Sequence, residues 1–128
     1  PGKGEIPALN KLAKENKDVE FIVIVWGKKK EARKFAKKFN SHIEICYAHK
    51  NYKNDNEIVE NMRETLGFPT CYMIDEHLQV VNIKRGSAST PLKTPTKKAV
   101  EMNYTVFKDR LSELIKFKQD KKELLVTN

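Results

Sequence analysis

The order of hydrophobic patterns along the chain is helix, strand, helix, strand, helix, proline-led strand, strand, helix. It predicts an α/β domain whose sheet is covered by helices on both faces. Three observations carry this expectation. Phe21-Ile22-Val23-Ile24-Val25-Trp26 is an unbroken apolar run, short and rich in β-branched residues, as expected of a strand buried on both faces. Ala32, Phe35, Ala36 and Phe39 recur at i, i+3, i+4 and i+7, the spacing of an amphipathic helix. Gly67-Phe68-Pro69-Thr70 stops a helix and turns the chain into the extended run Cys71 to Asp75, because proline fixes its own φ and biases Phe68 away from the α region. A cis Phe68-Pro69 bond, which costs far less before proline than elsewhere, would leave backbone groups exposed at the rim of a sheet, where a partner can dock.

Taken in order, Ile6, Leu9, Leu12 and Ala13 give a first helix, with Pro7 tolerable in its opening turn and Asn16-Lys17-Asp18 closing it. Gly27 opens the basic helix after the first strand. Ile43, Ile45 and Tyr47 alternate with Glu44, Cys46 and Ala48, the pattern of an edge strand with one wetter face. A polar loop from His49 leads into a helix from about Glu57 to Leu66, with Ile58, Met62 and Leu66 on one stripe and Gly67 as its stop. A tight turn at Glu76-His77 precedes the alternation of Gln79, Val81 and Ile83 with Val80, Asn82 and Lys84, so the two runs read as a hairpin. Ser87 to Thr96, with Pro91 and Pro95, is a loop. Val100 to Val106 fits either period, a short strand or the first turns of a last helix that carries Phe107, Leu111, Leu114 and Ile115 on one face. The tail from Leu124 frays.

At 128 residues and 39% hydrophobic content, residues 1–128 read as a single domain with one core. No stretch is apolar enough for a membrane span, and no signal-peptide pattern is seen. The net charge of +8 favours anionic partners, but seven of the cations fall between Lys28 and Lys38. They occupy the outer face of the amphipathic helix. A solvated face outweighs nucleic-acid binding there, because no aromatic ladder or zinc-finger spacing accompanies the lysines.

The candidate chemistry is sparse. Cys46 and Cys71 are too few for a disulfide scaffold. Cys71, beside Pro69, is the candidate reactive residue, although a strand cysteine is more often an inert small hydrophobe. His42, Cys46 and His49 do not share strand parity and no fourth ligand is evident, so no metal site is expected. Glu5 in a first helical turn and Asp75 at a strand end read as helix-dipole and turn chemistry.

Two motifs carry a resemblance. The run from Lys3 to Leu12, Lys-Gly-Glu-Ile-Pro-Ala-Leu-Asn-Lys-Leu, resembles the active-site helix of TlpA/ResA-type thioredoxin-like proteins (redoxin, AhpC/TSA-related). There the redox motif Cys-Pro-Pro-Cys is followed by Lys or Arg, any residue, Glu, an apolar residue and Pro. Gly67-Phe68-Pro69-Thr70 followed by Tyr72 to Asp75 is similar to the same family's cis-proline loop and strand, and the likeness covers roughly residues 1–90. It implies a three-layer thioredoxin-like fold with a mixed sheet, and thiol–disulfide exchange with protein thiols in cell redox homeostasis. It also implies no cofactor, a bacterial periplasmic or envelope setting, and a partner-binding edge at Phe68, Pro69 and Thr70. In that fold Cys46 lies on the far edge, three strand spacings from Cys71. That is about 14 Å, beyond the reach of a disulfide.

The departures are specific. Pro1 aligns with the second Pro of the motif and Gly2 stands where its second cysteine would be, so the resolving thiol is replaced. A lone first cysteine before residue 1 would sit at a helix N-terminus, activated by the dipole, but would not resolve a mixed disulfide within its own motif. Leu78 stands where the family usually turns on Gly. The family's central strand, between the segments equivalent to Phe21–Trp26 and Thr70–Asp75, precedes the motif. The expectation is that this strand is missing here, or is supplied by Val100 to Val106 or by exchange with a neighbouring chain.

Three functions follow as expectations. The first is a thiol–disulfide oxidoreductase, implied by the resemblance. The second is a redox-inactive module that docks an extended peptide client at the proline loop by β-augmentation. The third is an anion binder using Lys28 to Lys38.

Overall fold

A computed structural model of the chain describes residues 4–48 and 70–127. The expected helix from Glu57 to Leu66, its stop at Gly67 and the Phe68-Pro69 bond lie outside them. The described elements are α1 (Glu5–Glu15), β1 (Phe21–Trp26), α2 (Lys29–Ala36), β2 (Ile43–Ala48), β3 (Thr70–Ile74), β4 (Val80–Arg85) and α3 (Thr96–Thr127). Their class is α/β, as the periodicities predict.

The strands pair two and two. β1 and β2 form a parallel ribbon, in register from Phe21 opposite Ile43 to Trp26 opposite Ala48, with α2 as the crossover. β3 and β4 form an antiparallel hairpin with Thr70 opposite Arg85 and Cys71 opposite Lys84. Among the described residues no hydrogen-bonded ladder joins the two ribbons, so the continuous sheet expected from the sequence is replaced by two small sheets.

Pro7 lies in the first turn of α1, where backbone N–H groups lack helical partners in any case. Asn16 closes the helix, donating from its backbone to Ala13 O (3.3 Å) and from Nδ2 to Leu12 O (2.9 Å). The half-buried Asn10 of α1 is bound to the loop after α2. Its Oδ1 accepts from Asn40 N (2.8 Å), its carbonyl from Asn40 Nδ2 (2.7 Å), and its Nδ2 donates to Lys38 O (2.9 Å).

The segment that fitted either period is settled by α3, a single helix of 32 residues, about 48 Å at 1.5 Å per residue. Val100 to Val106 forms its early turns and supplies no strand. The buried stripe is Ala99, Asn103, Phe107 and Leu111, each one helical turn from the next. It meets Ala8 and Leu12 of α1, and Leu9, Val19, Phe21, Tyr104 and Leu114 pack around this cluster. At Gly4 the approach is close: a Cβ would lie 2.7 Å from Asn103 Nδ2 and 2.9 Å from the Ala99 carbonyl carbon.

Beyond Leu111 the same helix runs along the hairpin. Arg110 donates to Arg85 O (3.3 Å), Glu113 accepts from Asn82 Nδ2 (3.2 Å) and pairs with Lys84 (3.6 Å), and Lys121 reaches Asp75 (3.7 Å). One helix therefore holds α1 with one half of its length and the hairpin with the other.

β1 departs from its expectation. Phe21 packs on the α1–α3 cluster, but Ile22 and Ile24 on the opposite face are 54% and 58% exposed, so the strand is half-buried on one face and open on the other. No described element covers that second face. The outer face of the hairpin is similarly open at Ile74, Val80 and Ile83.

The hairpin turn is held by Asp75, whose Oδ1 accepts from His77 N (2.8 Å) and Gln79 N (2.9 Å). The Gln79 N–H holds the Asp75 carboxyl below its ordinary value, with His77 N–H and the Lys121 ammonium adding to the effect against a smaller opposing contribution from burial. A depressed folded-state value means that the stabilisation is present above the unfolded carboxyl pKa, about 3.9, and is lost as pH falls through the folded one. Urea unfolding of the wild type and Asp75→Asn should therefore show a stability difference at pH 6 that narrows in acid. A difference that stays constant would contradict this.

Leu78 completes the turn at φ +62°, in the left-handed region, with its side chain 86% exposed. A branched residue there is strained and its side chain gains no burial. Leu78→Gly should raise the unfolding free energy by about 1 kcal/mol, and a lower urea midpoint would contradict the assignment of strain. Past the turn, Met73 faces Asn82 while Ile74 faces Val80, leaving Val81 as the extra residue of a bulge that breaks the expected alternation in β4.

Candidate functional site

The site candidates gather around β3. Thr70 opens the strand, and Cys71 follows as a half-buried residue on the face that also carries the buried Met73. That face is turned to α3, which places Arg110 beside the thiol. The guanidinium of Arg110 lies 5.5 Å from the Phe107 ring centroid and is fixed by its bond to the Arg85 carbonyl.

Two influences compete at Cys71. Burial pushes the thiol pKa up, while the charge of Arg110 and its hydrogen bond to sulfur pull it down, and burial wins. The group is a protonated thiol at neutral pH, the opposite of the lowered pKa that a nucleophilic cysteine requires. Because the folded-state value lies above the unfolded one, whatever stability this contributes is present below the unfolded thiol pKa and fades as pH rises through the folded one. Iodoacetamide at pH 7 should modify Cys71 more slowly in the folded chain than in urea. A folded-state rate above the unfolded rate would restore it as a reactive residue.

The remaining candidates separate. Cys46 lies in β2, on the other ribbon from Cys71, and both thiols are free. His42 sits in the turn before β2, and His49 lies outside the described residues, as do Phe68 and Pro69 of the expected partner-binding edge. Among the described residues no three His, Cys, Asp or Glu side chains converge as metal ligands. Glu5 is occupied structurally: its Oε1 accepts from Ser87 Oγ (2.7 Å), tying the start of α1 to the loop after β4. Asp75 is engaged in its turn.

Sequence reasoning missed Arg110 as the neighbour of Cys71, a contact between residues 39 positions apart that no local pattern announces. The cations of α2 stand where the helical period puts them. Lys29, Lys30, Arg33 and Lys34 are exposed, while Ala32 is buried and Phe35 half-buried.

What this arrangement offers chemically is hydrogen-bonding edge. β1 is laddered only to β2 and β3 only to β4, so among the described residues each has one edge without a backbone partner. Both edges are bordered by exposed isoleucines, Ile22 and Ile24 on β1 and Ile74 on β3. Such edges template the addition of a further strand. Among the described residues no helix is long and apolar enough to cross a membrane. No protein-family model, no curated protein and no solved structure matches this chain.

Proposed function

We propose that this chain is a thioredoxin-like binding module, related to the thiol–disulfide oxidoreductases, that takes up an extended segment of a partner protein as an added strand and performs no disulfide turnover of its own. The observation that carries the reading is the pairing of the strands two and two, with no ladder among the described residues joining the ribbon that holds β1 to the one that holds β3. A two-stranded ribbon is marginal by itself, and a strand added along an open edge would enlarge it. Main-chain hydrogen bonds would supply the affinity, and the exposed isoleucines the alternate side-chain contacts. In the sequence Phe68 and Pro69 immediately precede Thr70, the first residue of β3.

The redox-inactive form is favoured over the oxidoreductase by Cys71 and Gly2 together. The thiol nearest the edge is held protonated, and glycine stands at the position of the resolving cysteine. Reduction of insulin by dithiothreitol tests this half of the proposal. The chain should leave the rate at the level of the reagent alone, and a catalysed rate that disappears with Cys71→Ser would overturn it.

A further inference from the structure

The chain's charge is concentrated on α2 and the residues flanking it. Between Lys28 and Lys38 seven cations stand against Glu31 alone, so this stretch holds six of the eight net positive charges. All seven are exposed, and none forms an ion pair with a carboxylate among the described residues. The rest of the chain is close to neutral. An isolated cationic face of this density carries a mutual repulsion that an anionic partner relieves.

Two geometric facts narrow the partner. Lys28 and Lys29 follow the end of β1 at Trp26 by two and three residues, so chain continuity keeps them within about 11 Å of the last residue of that strand's open edge. The cations also form rows at i, i+4 along α2: Lys29 with Arg33, and Lys30 with Lys34. Four residues of helix rise about 6 Å, and same-face side chains of an extended strand repeat every 6.6–6.8 Å or so. An extended segment with acidic residues at alternate positions therefore matches a row nearly one to one. A nucleic acid fits less well, because the rings of this stretch, Phe35 of α2 and Phe39 in the turn after it, are half-buried and stack on each other at 6.3 Å, leaving no exposed aromatic platform for bases there.

We propose that the cationic face of α2 is the specificity half of the client site, and that the segment accepted on the edge of β1 is acidic, with Asp or Glu at alternate positions meeting Lys29 and Arg33 on the flank of the helix, while Lys30 and Lys34 on its outer face add to the attracting field. This inference rests on the reading of the chain as a strand-accepting module. It adds a charge to the client, and with it a dependence of binding on salt.

The test uses three fluorescent probes with the intact chain: a peptide of about 12 residues alternating Glu and Thr, the same peptide with Gln for Glu, and a thymidine strand of matching length. The acidic peptide should bind about tenfold or more tightly than the neutral one in dilute buffer. That advantage should vanish at about 0.3 M salt, and also in the variant Lys29→Gln, Lys30→Gln, Arg33→Gln, Lys34→Gln with its circular dichroism unchanged. The salt series on the wild type reads the same charge effect without any variant. Equal binding of the two peptides, or an advantage that survives both salt and the variant, overturns the acidic client while leaving the strand-accepting module standing. Tighter binding of the thymidine strand than of the acidic peptide overturns it in favour of a polyphosphate partner. If neither peptide binds, the module reading falls with it.

Discussion

Phe107→Ala is expected to lower the unfolding free energy by about 3–5 kcal/mol. Phe107 is 9% exposed and sits at the middle of the α3 stripe, against Ala8 and Leu12 of α1 and next to Leu111. The cluster contains few large side chains, and its other members are too small or too constrained by helix geometry to refill the space. Domains of this size are stable by only about 5–15 kcal/mol, so the loss is a large part of the whole. Phe107 also lies where α3 passes from α1 to the hairpin, and the Arg110 guanidinium rests near its ring, so the effect should reach both halves. Urea unfolding followed by circular dichroism measures it. A loss below about 1 kcal/mol would mean that the α1–α3 cluster is not the core.

Asn103→Ala should cost about 2–3 kcal/mol, a large effect for a side chain with no apolar surface to lose. Asn103 is the one buried polar residue among those described, 3% exposed within an otherwise apolar stripe. Its Nδ2 donates to Ala99 O (2.9 Å), and its Oδ1 accepts from Ala88 N (2.9 Å), which fixes the loop after β4 to the helix. Truncation leaves the Ala88 N–H without its partner and opens a space beside Gly4. Asn103→Leu keeps the volume but not the acceptor, so it should also destabilise, and in both variants the Ala88 amide should exchange faster with solvent. An unchanged exchange rate at Ala88 would place that amide's protection elsewhere.

Asn103 also shows where the sequence ceased to be readable. A stripe of Ala99, Asn103, Phe107 and Leu111 has one small and one polar member, so the apolar period through Val100 to Val106 was blurred between helix and strand. Contact with α1 decides for helix, and that contact is tertiary. The elements whose signals are local were legible: α1, the lysine-faced α2, the parallel β1 and β2, and the hairpin, each from its own period and punctuation. The run Phe21 to Trp26 announced a strand but not its surroundings, because an unbroken apolar run looks the same whether or not both faces are covered. Leu78 was singled out only because it stands where the resembled family turns on Gly; its own propensity does not announce the left-handed conformation it adopts. For the site, the sequence pointed to Cys71 and the edge at β3. The direction of the thiol's shift is set by burial, which outweighs the opposing pull of Arg110, and neither is visible in the local sequence.

The central claim is that the open edges of β1 and β3 accept an added strand. Residue-resolved amide hydrogen exchange, on the chain alone and then saturated with the alternating Glu–Thr peptide, tests it most directly. In the free chain the outward-facing amides of β1 and β3 should exchange quickly, while those laddered to β2 and β4 are protected. With the peptide bound, the outward amides of both strands should slow by about tenfold or more, with little change along α3. Protection confined to α2, with the amides of β1 and β3 exchanging as before, would contradict the account.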